Sequence, residues 1–165
     1  MKKRSPATND RPDAIKARAL RLLAARPRSI VELRLRLRQR ASDPTQVESV
    51  IEAMKRLGFL DDRSFALSRA QSLLASGRLG PRGAVARLLS KGVDRVTAEK
   101  AVGEALGDST EESLAIRALA GRRYGPGATE KENARAARFL ASRGFLGSTI
   151  GRVLALRDEV DFSES

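Results

Sequence analysis

Ser29-Ile30-Val31-Glu32-Leu33-Arg34-Leu35-Arg36-Leu37-Arg38-Gln39-Arg40 is the stretch whose reading decides the fold. Leucine and arginine alternate from 33 to 38 with period two, the pattern of a half-buried strand. Two features select a helix instead. Ser29 and Glu32 stand in the S-x-x-E spacing of a capping box, where hydroxyl and carboxylate each satisfy an orphan backbone N–H. Neither Leu nor Arg favours strands. Read as a helix from Ser29 to about Arg40, the segment has one apolar stripe in Ile30, Leu33 and Leu37. Val31 and Leu35 form a second stripe on nearly the opposite side. Arg36 and Arg40 flank one edge, Arg34 and Arg38 the other. A helix apolar on two faces lies between two neighbours, as the middle member of a three-helix unit does.

The same signals recur on both sides of this segment. Before it, Ile15, Ala19, Leu22 and Leu23 recur at helical spacing, giving a helix over about 12–25 with Pro12 in its first turn. After it, Asp43-Pro44 starts a helix whose buried stripe is Val47, Val50, Ile51, Met54 and Leu57. Gly58-Phe59 reads as a Schellman stop. Asp61-Asp62 starts a fourth helix and Gly77–Gly80 ends it. Pro81 opens a fifth that closes at Lys91-Gly92-Val93, and Asp94 caps a sixth ending at Gly107. Ser109-Thr110-Glu111-Glu112 starts the seventh with a second S-x-x-E, and Thr129-Glu130-Lys131-Glu132 starts the eighth. The ninth covers about 147–157. No stretch reads as a strand, so the fold class is all-α.

Leu37, Leu88 and Leu140 each precede, by three residues, a basic residue followed by a small one: Arg40-Ala41, Lys91-Gly92 and Arg143-Gly144. The leucines are 51 and 52 residues apart, and nine helices therefore divide into three units of three. A unit of about 50 residues is marginal alone, so the units lean on one another in an elongated, curved array. The expected organisation is a disordered basic arm at 1–11, repeats at 12–60, 61–107 and 109–157, and an acidic tail at 158–165.

Composition narrows the function. The chain has 165 residues, 41% of them hydrophobic, and 32 Lys+Arg against 20 Asp+Glu, for a formal net charge of +12. With no His and no Cys, Cys nucleophiles, His-dependent triads, and the zinc and iron–sulfur sites those residues build are excluded. No disulfide can form, which agrees with a reducing cytoplasm. No apolar run is long enough to span a membrane, and Met1-Lys2-Lys3-Arg4-Ser5-Pro6 lacks the apolar region of a secretory signal. Residues 1–62 carry 15 basic and 8 acidic side chains, a balance of +7, whereas 110–165 carry 9 and 8. A polyanionic partner would therefore meet the N-terminal two thirds.

The ordered motifs resemble a known family. Arg28-Ser29-x-x-Glu32-Leu33-Arg34-x-x-Leu37 resembles the pattern R-S-x-x-E-L-R-x-x-L, and Leu57-Gly58-Phe59-Leu60-Asp61-Asp62-Arg63-Ser64-Phe65-Ala66 resembles its L-x-x-x-G-[FL]-[LI]-[DN]-D-x-x-[FY]-A segment. Gly80-Pro81-Arg82 with Leu88-x-x-Lys91-Gly92-Val93, and Arg143-Gly144-Phe145 with Ile150, resemble its second- and third-unit motifs. The family is RecX, regulators of the RecA recombinase, and the likeness covers about 14–157. It departs at Ala41, where Gly is usual, and at 122–129, which are longer than the matching turns. The resemblance implies a non-enzymatic, cytoplasmic, monomeric modulator that binds the RecA–DNA filament and inhibits its ATPase and recombinase activity. It thereby acts in DNA repair and the SOS response.

Each candidate site has a plainer alternative. Asp61-Asp62 is explained by helix capping, with no second carboxylate cluster to support catalysis. Gly77-x-x-Gly80-x-x-Gly83 lacks the G-K-[ST] of a phosphate-binding loop and a preceding strand, and reads as a turn between helices. Arg34, Arg36, Arg38 and Arg40 offer guanidinium forks to phosphates or to a partner's carboxylates; the alternative is a solvated face. Lys55, Arg56, Arg82, Arg87, Lys91 and Arg143 belong to the same expected surface. With no Trp, one Tyr and five Phe, contact with single- or double-stranded DNA would go to the backbone. No cofactor or metal is expected. The competing reading is a stand-alone DNA-binding protein of tri-helical units.

Overall fold

The computed structural model describes residues 11–120 and 128–159. These form nine helices and no strand: α1 (Pro12–Ala25), α2 (Ile30–Arg38), α3 (Pro44–Arg56), α4 (Asp62–Ala75), α5 (Pro81–Leu89), α6 (Arg95–Leu106), α7 (Glu111–Leu119), α8 (Glu130–Ser142) and α9 (Gly147–Glu159). The helices pack as three consecutive triplets, each third helix against the two before it. The opening stretch is helical, as the capping signal predicts. Residues 1–10 of the disordered arm expected at 1–11, residues 122–127 of the longer turn expected at 122–129, and most of the expected acidic tail lie outside the described residues, while Arg11 is the N-cap of α1. At the last helix, Asp158 and Glu159 extend α9 rather than begin the tail.

Local chemistry sets most boundaries. Asp43, Asp61 and Asp94 each accept hydrogen bonds from the first-turn N–H groups of α3, α4 and α6, each such cap contributing about 1 kcal/mol. α3, α5 and α8 stop alike. Phe59 N–H donates to Met54 O at 3.0 Å, Val93 N–H to Leu88 O at 3.3 Å and Phe145 N–H to Leu140 O at 3.2 Å. The preceding Gly58, Gly92 and Gly144 have φ of 74°, 81° and 80°, a left-handed turn that favours glycine. The stops after α5 and α8 fall at the same place in the second and third units, at the end of the middle helix, whereas the one after α3 closes the last helix of the first unit.

Two capping assignments change. Ser29 accepts from Glu32 N–H at 3.0 Å, but the Glu32 carboxylate turns to Arg26 and Lys91 rather than back to Ser29 N–H. Before α7 the cap is Thr110, one residue after Ser109, accepting from Ser113 N–H at 3.1 Å. Among the described residues only Thr129 and Glu132 close a full capping box. In both altered cases the glutamate is taken by a stronger tertiary partner or by a shift in register.

The cores are unequal. Ile15, Leu33, Leu37, Val47, Ile51, Met54 and Leu60 fill the first triplet by themselves. The second and third share one continuous core, in which Phe65, Leu74, Leu88 and Val102 join Leu114, Leu119, Leu140 and Phe145. The second apolar face expected of α2 is only half realised. Val31 abuts Gly92, where an added Cβ would lie 2.4 Å from Val31 Cβ. Leu35 is 58% exposed.

Candidate binding surface and unit junctions

The two junctions repeat one device. At the second, Gly80 N–H donates to Arg143 O at 2.9 Å. A Cβ on Gly83 would sit 2.2 Å from that same oxygen, and one on Gly144 would sit 2.2 Å from Gly83 N. Gly80 and Gly83 are thus the place where two backbones touch, which explains the Gly-x-x-Gly spacing without any phosphate. At the first junction, Ser29 Oγ donates to Lys91 O, and Lys91 is the second-unit counterpart of Arg143. The basic-small pairs of the second and third units therefore each dock on the N-terminus of the middle helix of the preceding unit.

The first junction is more polar. Ile30 N–H donates to Asp62 Oδ1 at 2.8 Å. Glu32 pairs with Lys91 Nζ at 3.0 Å and with Arg26 at 3.1 Å, and its side chain is only 16% exposed. Burial pushes the Glu32 carboxyl up, but the hydrogen bonds from Arg26 and Lys91 outweigh it and hold the group at about 2. Asp62 has no cation against it at bonding distance among the described residues, and burial raises its pKa. Of the Asp61-Asp62 pair, Asp61 caps α4 and Asp62 clasps the preceding unit through Ile30 N–H, so both have a structural role.

The expected basic residues separate into distinct groups. Arg34 and Arg38, from one edge of α2, both grip Glu48 of α3, at 2.9 and 2.7 Å. Lys55 pairs with Glu52 one turn away at 3.0 Å. Lys91 is bound into the junction, and Arg143 lies with its guanidinium 5.1 Å from the centre of the Phe139 ring. Arg36 and Arg40, on the other edge of α2, are exposed, as are Arg56, Arg82 and Arg87. These five meet no acidic side chain among the described residues.

Sequence reasoning missed two members. Arg18 and Arg21 of α1 line a groove with Leu22, Leu37, Arg40 and Ala41, a cavity of about 420 Å³. Burial first, and then repulsion from Arg40, Arg21 and Arg36, lowers the pKa of Arg18. The signal was present in the i, i+3 spacing of Arg18 and Arg21 beside the apolar stripe of α1, but only the packing of α1 on α2 brings them to Arg40.

Among the described residues no helix is long and apolar enough to cross a membrane. Units joined in series, exposing unpaired guanidinium groups beside backbone-tight junctions, define a helical-repeat protein built to present a surface. The chain belongs to the RecX family of regulatory proteins. Residues 16–54 match the first three-helix domain of RecX. The chain is 36% identical over 152 residues to the regulatory protein RecX of Halorhodospira halophila, covering 90% of this chain and 91% of that one. It is 38% identical over 129 residues to that of Thermus thermophilus, covering 78% and 82%. The fold matches the crystal structure of RecX from Lactobacillus salivarius with a TM-score of 0.78, at 20% identity over 90% of this chain and 97% of the other.

Proposed function

We propose that this chain binds the filament that the RecA recombinase forms on DNA and restrains its ATP hydrolysis and strand exchange, acting as a cytoplasmic monomer without catalysis of its own. The observation that carries the reading is the agreement with named regulatory proteins RecX over nearly the whole chain. The serial array adds a physical reason, because units joined end to end follow a repeating partner better than a single globule does. The surface that meets the filament includes the unpaired Arg36, Arg40, Arg56, Arg82 and Arg87, with Arg34, Arg38, Lys55, Lys91 and Arg143 shaping it through their partners.

The test is RecA-catalysed ATP hydrolysis on single-stranded DNA with increasing amounts of the chain. The expected result is suppression at or below stoichiometric amounts. An undiminished rate together with unchanged filament disassembly refutes the proposal. The alternative, a stand-alone DNA-binding module, is favoured by the density of unpaired guanidinium groups on the first unit. It requires tight duplex binding without recombinase, with log affinity falling steeply against log salt.

A further inference from the structure

The clustering of four arginines where α1 packs on α2 has no structural explanation within the first unit. Arg18 and Arg21 come from α1, Arg36 and Arg40 from α2 and the turn after it, and Arg18, Arg21 and Arg40 line one groove. None of the four meets an acidic side chain among the described residues, whereas Arg26, Arg34, Arg38, Arg95 and Arg152 all do. Glu48, the nearest acidic residue of α3 to engage α2, is saturated by Arg34 and Arg38 on the opposite edge. The fold thus gathers like charges at an energetic cost; burial first, and then repulsion from Arg40, Arg21 and Arg36, lowers the pKa of Arg18. Such a cost is characteristic of sites that receive a counter-charge from outside.

We infer that the groove between α1 and α2 is a seat for the phosphodiester backbone of a nucleic-acid strand, held by Arg18, Arg21, Arg36 and Arg40. Three features favour a nucleic-acid strand over an acidic protein. A strand carries a charge at every nucleotide without a break, so one short segment can serve four forks. Carboxylates on one face of a helix recur only at i, i+3 or i+4, about 5–6 Å apart. The groove wall is aliphatic and small, with Leu22, Leu37 and Ala41 and no aromatic ring, which suits a backbone and offers no platform for bases. The sequence preceding α1 carries Lys2, Lys3, Arg4 and Arg11 against Asp10, further positive charge for a polyanion.

This inference deepens the proposed function by naming the component of the filament that the first unit meets, and in that sense rests on it. Its own test uses the full chain without recombinase. Fluorescence anisotropy would follow binding to a fluorescein-labelled thymidine oligonucleotide across a salt series. The variants are R36Q/R40Q and a control of equal charge change, R95Q/K100Q, on α6. The expected result is a loss on the order of tenfold for R36Q/R40Q at low salt, with the log–log salt slope reduced by about one to two, and less than about twofold for the control. Both pairs are exposed, and circular dichroism confirms that the variants fold. The groove assignment falls if the wild-type chain does not bind the oligonucleotide. It also falls if R36Q/R40Q matches the control, or if polyglutamate of equal charge binds as tightly as the oligonucleotide, which assigns the groove to an acidic protein face. Recombinase ATPase on the same preparations keeps the two readings apart. An arginine effect on the oligonucleotide without any effect of the wild type on ATPase sinks the regulator and leaves the groove. Inhibition of ATPase with oligonucleotide binding indifferent to the arginines does the reverse.

Discussion

Replacing Gly144 by Ala tests whether the units are locked by backbone contact rather than by side-chain burial alone. Two costs arise. Gly144 has φ of 80°, and a left-handed conformation costs a non-glycine residue about 1–2 kcal/mol. The new Cβ would also lie 2.2 Å from Gly83 N and 2.6 Å from Gly83 Cα. Those are backbone atoms of α5, which no rotamer change can move aside. Over-packing of this kind costs about 1–3 kcal/mol, and displacement of the chain endangers the 2.9 Å bond from Gly80 N–H to Arg143 O. The expected loss is therefore about 2–5 kcal/mol, a large share of the roughly 5–15 kcal/mol that holds a typical domain. Gly58 supplies the control, since its φ is 74° and a Cβ there meets nothing within 4 Å. Gly58→Ala should cost only the conformational part, about 1–2 kcal/mol. Urea unfolding followed by circular dichroism measures both. Equal losses, within about 0.5 kcal/mol, would refute the backbone lock. A Gly144→Ala loss exceeding that of Gly58→Ala by about 1–3 kcal/mol upholds it.

The first junction makes two further predictions through its carboxylates. Glu32 is held at about 2 in the folded chain against an ordinary 4.5, so its pairing stabilises the fold above pH 4.5 and is lost as pH falls towards 2. Glu32→Gln should therefore cost about 1–2 kcal/mol at neutral pH, after discounting for the solvent-exposed Arg26 partner, and converge with the parent chain in acid. Urea midpoints across pH that run parallel for both proteins would disprove the pairing. Asp62 has the opposite sign, because burial raises its pKa. The proton favours the fold there, and the benefit is full below its ordinary 3.8 and fades as pH rises through the raised value. Asp62→Asn keeps an oxygen for Ile30 N–H and removes the buried charge. It should leave stability unchanged at low pH and raise it by about 0.5–1 kcal/mol at neutral pH, once half-exposure is discounted. Thermal melts at both ends of that range check it, and a loss at neutral pH would show that the charge itself holds the junction.

The sequence by itself determined what local chemistry controls. Helix starts at Asp43, Asp61, Asp94 and Thr129, stops at Gly58, Gly92 and Gly144, and the triple recurrence of a leucine before a basic-small pair all depend on groups within a turn or two of one another. The reach of a cap or a Schellman turn is at most about five residues, so spacing reveals it. Where a competing partner lay far along the chain, the local reading failed. The Ser29–Glu32 box lost its glutamate to Lys91, 59 residues away, and Leu35 remained exposed although Val31, on the same side of α2, packs against Gly92. Periodicity divides the four arginines written in alternation between two edges of α2, but the sequence does not say which edge meets an acid. Only the placement of α3 beside one edge and α1 beside the other decided that Glu48 would neutralise Arg34 and Arg38, while Arg36 and Arg40 would meet Arg18 and Arg21. Periodicity fixes which residues share a face of a helix, but not which helix that face will find. That choice belongs to packing, where burial of the apolar stripes sets the rotation of each helix and the charged edges follow.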